Sequence, residues 1–313
     1  MKKRYIVLIV LLVLLLGTAG FIYDWVGGFA ETVPATPATC RVVHHDNLVY
    51  FNGAGADPER NSLKIFAPEN QVRAPVAILL HGGAWTGGHR RITAIEGIAE
   101  WLAQRGVLAV TLGYRLVPNV PPTEQPWDVA HGINWIYRHV DEYGGDPARI
   151  VLLGHSAGGH LASVVTCDRS YLDELGAPTG VPAGVIALSN AFDLRDGPEP
   201  ASSVARRLVL FVFGTDPERR AKLSPVLFVK PGVPPFLIMR GKGDHLVPAY
   251  QAEEMAAAVR AAGGSVEVRL VNGRGHVTLF HEMTEPGDAT AEASLKFIRE
   301  IKPRGEPLPA TTE

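Results

Sequence analysis

Short aliphatic runs alternate with amphipathic segments over residues 42–303. Several runs are continuous in Val, Ile and Leu, as is typical of strands covered on both faces. Strands are predicted at RVVHHDNLVY, NSLKIFAP, VAILLHG, VLAVTLGY, RIVLLG, GVIALSN, PFLIMRG and VEVRLVNG. Helices are predicted at 93–105, 125–142, 157–167, 249–262 and 289–301, where apolar residues recur every three or four positions. The chain begins with predicted strands, and helices then alternate with strands. This order predicts an α/β fold, with a mostly parallel sheet of about eight strands flanked by helices.

The chain of 313 residues is long enough for one domain of this class, and its ends differ from its middle in composition. Residues 31–41 are predicted to form a linker, because the stretch ETVPATPAT is rich in Pro, Thr and Ala. Residues 42–303 form the predicted domain, and residues 304–313 a flexible tail. Within the domain, residues 168–234 are irregular and punctuated by proline. This segment is expected to be either a small cap over the functional face or a crossover helix with long loops.

The N-terminus carries a location signal, because Lys2, Lys3 and Arg4 precede an apolar run of nineteen residues from Tyr5 to Tyr23. Residues 1–30 therefore read as a cleaved signal peptide or an uncleaved membrane anchor, and aromatic residues at the end of the run slightly favour the anchor. Either interpretation predicts an exported protein on the periplasmic or extracellular face.

Charge and cysteine content narrow the ligand classes. A formal net charge of −2 with 20% charged residues gives no basic field for nucleic acid, so a small-molecule partner is expected. Cys40 and Cys167 lack the spacing of a metal site, and neither a metal nor a cofactor is predicted. The two cysteines could pair in an exported domain or remain free, and the sequence leaves the oligomeric state open.

The stretch GHSAGGH, residues 154–160, lies between the predicted strand RIVLL and a predicted helix. Glycines two places before and after Ser156 remove the Cβ atoms that would collide in an abrupt strand-to-helix turn. The helix that follows offers free backbone N–H groups and the positive end of its dipole. Ser156 is therefore a candidate nucleophile.

A serine hydroxyl needs a base to take its proton and a carboxylate to orient that base. Asp244 follows the strand PFLIMRG, and His276 follows VEVRLVNG, so both belong to the edge of the sheet where Ser156 emerges. We expect Asp244 and His276 to complete a catalytic triad with Ser156. His281 is a weaker alternative base, because it lies five residues beyond the strand end.

The stretch HGGAW, residues 81–85, directly follows the strand VAILL. Its glycines allow backbone N–H groups to approach a substrate, as stabilisation of a developing oxyanion requires. Gly82 with Gly83, or Gly83 with Ala84, are the candidate donors together with Ala157. Trp85 is predicted to form a wall of the substrate pocket.

Together, HGGAW, GHSAGG and GKGDHLVP resemble the α/β-hydrolase superfamily over about residues 42–302. The resemblance is to its branch of carboxylesterases, relatives of hormone-sensitive lipase and kynurenine-formamidase-like enzymes. It implies that the His-Gly-Gly loop supplies oxyanion donors and that G-x-S-A-G-G contains the nucleophile. Ala84 departs from the third glycine usual in relatives of hormone-sensitive lipase, whereas HGG-x-W occurs in kynurenine formamidases and in some bacterial esterases.

The resemblance and the export signal together predict a serine-dependent carboxylic ester hydrolase that acts on short acyl or aryl esters through an acyl-enzyme. An aryl formamidase of the N-formylkynurenine type is the nearest alternative, because the HGG-x-W motif does not separate amide from ester substrates. A catalytically silent, membrane-tethered binding module is a further alternative, which the complete set of Ser156, Asp244 and His276 disfavours.

Overall fold

The computed structural model describes residues 30–197 and 203–304 as strands, helices and their connections. The strands are β1 (Val42–Val49), β2 (Ser62–Pro68), β3 (Ala74–Leu80), β4 (Leu108–Leu112), β5 (Gly145–His155), β6 (Gly184–Leu188), β7 (Phe236–Gly241) and β8 (Val266–Val271). The α-helices are α1 (Thr93–Ala103), α2 (Gln125–His139), α3 (Ala157–Cys167), α4 (Ser170–Glu174), α5 (Ser203–Phe213), α6 (Pro217–Ala221), α7 (Tyr250–Ala261), α8 (Thr278–His281) and α9 (Ala289–Glu300). Short 3₁₀ helices occupy Val140–Tyr143 and Pro225–Phe228.

The strands form one eight-stranded sheet in the order β1-β2-β4-β3-β5-β6-β7-β8. The pairs from β4 to β8 are parallel, while β2 is antiparallel to both of its neighbours. The predicted α/β class, with a mostly parallel sheet of about eight strands flanked by helices, is confirmed.

Alternate residues of the central strands point to opposite faces, and each face has its own apolar core. In β3, Val76, Ile78 and Leu80 belong to the same apolar core as residues of α2, α3 and α7, whereas Ala77 and Leu79 belong to the core that contains residues of α1 and α9. All five side chains are fully buried. The continuous apolar runs that predicted these strands therefore reflect burial on both faces.

The connections place a crevice at the carboxyl ends of β3 and β5. The chain passes from β3 to β4 on one side and then crosses back to β5 on the other side of β3. The connecting helices α1 and α2 consequently lie on opposite faces of the sheet. In open α/β sheets such a switch in strand order leaves space for a ligand outside the carboxyl ends of the strands.

The segment 168–234 combines a central strand with helices near that crevice. β6 lies inside this segment and pairs with both β5 and β7, so only the residues around it are available to form a cap. Helix α5 lies near Ser156, since residues of both line the same cavity. The division of the chain into linker, domain, cap and tail remains a prediction.

The predicted signal peptide or anchor at residues 1–30 lies almost wholly outside the described residues, as does most of the tail. In the stretches that the structure does describe, no helix has the length and apolarity needed to cross a bilayer. Cys40 and Cys167 are both free in the structure, and Cys167 is buried. Burial raises the pKa of the Cys167 thiol.

Candidate active site

The turn between β5 and α3 holds Ser156 in a conformation that few residues adopt. Its φ of 52° and ψ of −118° lie outside the common regions, as expected for a strained functional turn. A Cβ atom on Gly154 would lie 2.5 Å from the backbone of Gly158, and one on Gly158 would lie 2.2 Å from the carbonyl oxygen of Leu80. Glycine is therefore required at both positions for the turn to close against β3.

His276 lies within hydrogen-bond distance of the serine. The Ser156 Oγ is 3.1 Å from His276 Nε2, and the imidazole side chain is 13% exposed. Nδ1 on the other side of the ring is 3.0 Å from Asp244 Oδ2. Because a carboxylate only accepts hydrogen bonds, Nδ1 carries the proton and Nε2 is free to accept the serine proton. The structure thus brings together the three predicted triad residues.

Asp244 is a buried carboxylate with three hydrogen-bond donors. Its Oδ1 accepts from the backbone N–H groups of Leu246 and Val247, at 2.8 and 3.0 Å. Burial raises the pKa of Asp244, but the neighbouring His276 and the hydrogen bonds outweigh burial and lower the pKa to about 2. The carboxylate is therefore ionised across the neutral range, as the orientation of the imidazole requires.

His155 supports the backbone of His276. Its Nε2–H donates to the carbonyl oxygen of His276 at 2.7 Å, and its ring stacks on Phe280 at a centroid separation of 5.0 Å. Burial, reinforced by the nearby His276, lowers the pKa of His155 to about 3. The neutral ring thus ties the end of β5 to the loop that carries the candidate base.

The HGGAW loop lies directly beside the serine turn. A Cβ atom on Gly82 would lie 3.4 Å from the Cβ of Ser156. Gly83, Ala84 and Trp85 all have positive φ values, of 125°, 55° and 60°, so the backbone folds sharply there. Among the described residues, the N–H groups of Gly83, Ala84 and Ala157 donate to no protein acceptor. These groups are therefore free to donate to a ligand.

Trp85 is held at the cavity wall by a chain of hydrogen bonds. Its Nε1–H donates to His160 Nδ1 at 3.1 Å, and His160 Nε2–H donates to the carbonyl oxygen of Leu223 at 2.7 Å. Burial lowers the pKa of His160 to about 4, which keeps the ring neutral and able to accept. Gln125 Nε2 donates to the Trp85 carbonyl oxygen at 2.8 Å. Gln125 and the partner carbonyl of Leu223 were not identified from the sequence, since both come from distant segments.

A cavity of about 190 Å³ opens beside Ser156. Most of its lining is apolar, and the apolar residues include Trp85, Leu194, Leu208, Val209, Leu246, Val247 and Pro248. Two sets of ion pairs also border it: Asp193 with Arg195 at 2.7 Å, and Asp196 with Arg206 and Arg220 at 3.5 and 3.1 Å. These arginines and aspartates were not predicted from the sequence, because no motif marks them.

The structure distinguishes between the two candidate bases. The alternative base His281 lies in α8, whereas His276 Nε2 is the ring atom that reaches Ser156. In the described part of the chain, no cluster of three or more His, Cys, Asp or Glu side chains could hold a metal ion.

Comparison with known proteins gives consistent matches. Residues 63–259 match the family model BD-FAE. The chain is 32% identical to "Esterase LipC" of Mycobacterium tuberculosis, over 85% of this chain and 69% of that protein. It is 28% identical to "Probable isoprenylcysteine alpha-carbonyl methylesterase ICMEL1" of Arabidopsis thaliana, over 72% of this chain but only 50% of that protein. The chain thus spans about half the length of this plant relative.

The fold also matches solved structures. Esterase B from Lactobacillus rhamnosis superimposes with a TM-score of 0.73 at 22% identity, covering 96% of each chain. This likeness supports the α/β-hydrolase fold that the sequence motifs predict.

Proposed function

Because the chain belongs to the BD-FAE family and has Ser156, His276 and Asp244 in hydrogen-bond contact, we propose that it is a serine-dependent carboxylic ester hydrolase. The observation that carries the proposal is the 3.1 Å contact between Ser156 Oγ and His276 Nε2 beside an apolar cavity. Acyl transfer by a serine requires a base in contact with the hydroxyl and a carboxylate in contact with that base.

In the proposed mechanism, Ser156 Oγ attacks the ester carbonyl carbon as its proton passes to His276 Nε2. Asp244 stabilises the resulting imidazolium through its contact with Nδ1. The oxygen that becomes negative accepts hydrogen bonds from the N–H groups of Ala157 and Gly83, with Gly82 or Ala84 as the further donor. These groups are supported as donors by the loop's position against Ser156.

Collapse of the tetrahedral intermediate breaks the bond to the alcohol oxygen. His276 donates its proton to that oxygen, the alcohol leaves, and an acyl-enzyme remains on Ser156. Water then attacks the acyl carbon while His276 accepts its proton, and Ser156 is released when the proton returns to Oγ. The products are a carboxylic acid and an alcohol.

Short acyl or aryl esters are the proposed substrates. A cavity of about 190 Å³ with mostly apolar walls suits a short chain or a single ring better than a long fatty acyl group. Trp85, fixed by His160, supplies one apolar wall.

The test compares hydrolysis of p-nitrophenyl acetate, butyrate and octanoate, methyl ferulate and N-formylkynurenine by the full chain and by Ser156→Ala. Ser163→Ala is the matched control, because Ser163 lies in α3, the helix that begins directly after Ser156, and its Oγ donates to the Gly159 carbonyl oxygen at 2.8 Å. Turnover of the short esters that Ser156→Ala abolishes and Ser163→Ala preserves supports the proposal. A preference for N-formylkynurenine would make the protein an aryl formamidase, and no turnover of any substrate would favour a silent binding module.

Export is a second part of the proposal, and it is supported by the basic residues and the apolar run at the N-terminus. We propose that the domain works on the periplasmic or extracellular face, with residues 5–23 as its anchor. Cell fractionation with intact-mass measurement tests this. A membrane-bound chain of full mass supports an anchor, a shortened soluble chain indicates a cleaved signal peptide, and a cytoplasmic chain contradicts export.

A further inference from the structure

Strand β8 lies at one edge of the sheet and leaves part of its backbone without a neighbour. It pairs with β7 in parallel and in one unbroken register. The carbonyl oxygens of Ser265 and Val271 accept hydrogen bonds from the β7 side. Because successive residues of a strand direct their N–H and C=O groups to opposite sides, those of Val266, Val268 and Leu270 point outward. Within the described chain, these outward groups have no hydrogen-bond partner.

The other edge of the sheet carries a feature that disfavours pairing with a further strand, and β8 does not. β1 contains a bulge between His45 and Leu48, where Asn47 has a φ of 58°. Edge strands commonly carry such a bulge, because it disrupts pairing with another chain. Near β8, the N–H of Glu31 donates to the carbonyl oxygen of Asn272, which follows the strand. The outward groups of β8 itself therefore remain open to a further strand.

The side chains of β8 differ in chemistry between its two faces. Val266, Val268 and Leu270 share one face, and Val266 packs there against the core that contains residues of α7. Val268 is 41% exposed and Leu270 is 54% exposed. Glu267 and Arg269 lie on the opposite face and form an exposed ion pair. A strand added at this edge would therefore extend an apolar surface on one face and a charged surface on the other.

Charge complementarity makes a second copy of β8 the strand that fits this edge. In antiparallel pairing about a two-fold axis at Val268, the outward groups of Val266 face those of the partner's Leu270, and the two Val268 residues face each other. Glu267 then lies directly opposite the partner's Arg269, and Arg269 lies opposite the partner's Glu267. In these positions, between the hydrogen-bonded pairs, side chains approach most closely. Opposite charges placed there stabilise the pairing of two strands.

The same charges disfavour the neighbouring registers. An axis at position 267 would place Glu267 opposite the partner's Glu267, and an axis at position 269 would place Arg269 opposite the partner's Arg269. Like charges directly opposite one another destabilise a strand pair. Pairing between β8 and the β1 edge of another copy would be head-to-tail and would continue beyond two chains. The symmetric register at Val268 therefore combines full backbone pairing with opposite charges.

We propose that two copies of this chain associate by antiparallel pairing of β8 with β8, so that their sheets merge into one. Val268 and Leu270 pack against the partner's apolar side chains across the new contact, which removes apolar surface from water. The partner's strands run in the opposite direction, so the two crevices at Ser156 lie at opposite edges of the merged sheet. Ser156, His276 and Asp244 of each site come from one copy. The interface therefore leaves each candidate active site complete.

The first test measures the mass of the full chain by sedimentation equilibrium in density-matched detergent micelles, from micromolar to submillimolar concentration. The unsubstituted chain is expected to form dimers. Glu267→Arg and Arg269→Glu each turn both attractive cross-strand pairs into repulsive ones, which should raise the dissociation constant by about tenfold or more. An equimolar mixture of the two variants should regain the original affinity, because each cross-strand pair then joins opposite charges. Mixing cannot repair a folding defect, so such a recovery identifies the contact.

The matched controls are Arg41→Glu and Glu69→Arg. Arg41 Nε and Glu69 Oε2 lie 3.8 Å apart in an exposed ion pair beside β1 and β2, at the other edge of the sheet. These substitutions change the net charge by the same amounts as those in β8. Both control variants should associate like the unsubstituted chain.

Disulfide trapping tests the register. In a hydrogen-bonded antiparallel pair the Cα atoms lie about 5.5 Å apart, which a disulfide can span. In a Cys40→Ser background, Val268→Cys should therefore cross-link two copies under mild oxidation severalfold faster than Val43→Cys in β1. Val268 and Val43 are similarly exposed, at 41% and 43%, and Cys167 does not compete because it is 5% exposed.

Three outcomes would overturn the proposal. The chain could remain a monomer at every concentration, with position 268 cross-linking no faster than position 43. Dimers could form that the two β8 charge variants leave unchanged, which would place the interface elsewhere, such as in the apolar N-terminal run. The mass could also grow beyond that of a dimer, which would indicate head-to-tail contacts. No readout uses turnover, so the result stands whether or not the proposed hydrolase activity is found.

Discussion

Replacing Asp244 by Asn tests how the carboxylate controls the proton on His276. The backbone N–H groups of Leu246 and Val247 both donate to Oδ1, so they would hold the carbonyl oxygen of the Asn side chain in the same place. The amide NH₂ would then face His276 Nδ1 and donate to it. The imidazole proton would move to Nε2, which faces Ser156, and the ring could no longer accept the serine proton.

Asp244→Asn is expected to lower both kcat and stability. The reversed tautomer should lower kcat by about 10⁴ at neutral pH. The pKa of Asp244 is about 2 in the fold against an ordinary value of 3.8, which corresponds to about 2 kcal/mol of stability at neutral pH. Because the folded pKa is the lower one, this stability is present above pH 3.8 and is lost as the pH falls through about 2. The Asn variant should therefore be less stable at neutral pH by about 2 kcal/mol.

The assay combines kcat on p-nitrophenyl butyrate with urea unfolding. Asp146→Asn is the matched control, because Asp146 is 4% exposed and pairs with Arg73 at 2.9 Å, but lies at the start of β5 away from Ser156. The control should lose stability and keep its kcat within about twofold. A kcat of Asp244→Asn within about tenfold of that of the unsubstituted chain would refute this role of Asp244.

Two further predictions concern the support of the cavity wall. Trp85→Phe removes the donor to His160 Nδ1 and leaves that buried acceptor unpaired, so urea unfolding should show a loss of about 1–3 kcal/mol; an unchanged midpoint would speak against this role. His160→Gln should make stability depend less on pH. The pKa of His160 is about 4 in the fold and has an ordinary value of 6.5, which applies to the unfolded chain. As the pH drops from 6.5 to about 4, the unfolded chain therefore binds a proton that the folded chain does not, and stability falls. The expected change is about 1.4 kcal/mol per pH unit in that window, and equal slopes for the two chains would contradict it.

The sheet and the triad positions could be predicted because both follow from local pattern. Continuous apolar runs identify strands buried on both faces, and the residues after Gly241 and Val271 must emerge at the carboxyl ends of parallel strands. The strand order then brings Asp244 and His276 to the edge where Ser156 lies. The order of nucleophile, acid and base along the chain was therefore sufficient to predict that the three side chains lie at the same edge of the sheet.

The cavity walls could not be predicted, because they depend on contacts between distant segments. The bond from Trp85 to His160 joins residues 75 positions apart, and that from His155 to His276 joins residues 121 apart. Neither spacing follows a local period. The two ion-pair sets at the cavity come from an irregular segment, in which composition alone does not tell which arginine meets which aspartate.

Site mapping after reaction with a fluorophosphonate tests whether Ser156 forms the covalent intermediate. Trypsin releases residues 150–169 as one peptide, which contains only Ser156 and Ser163 as serines. We expect phosphonylation at Ser156, slowed in Asp244→Asn and absent in Ser156→Ala. Modification at another residue, or none in the folded chain, would contradict it.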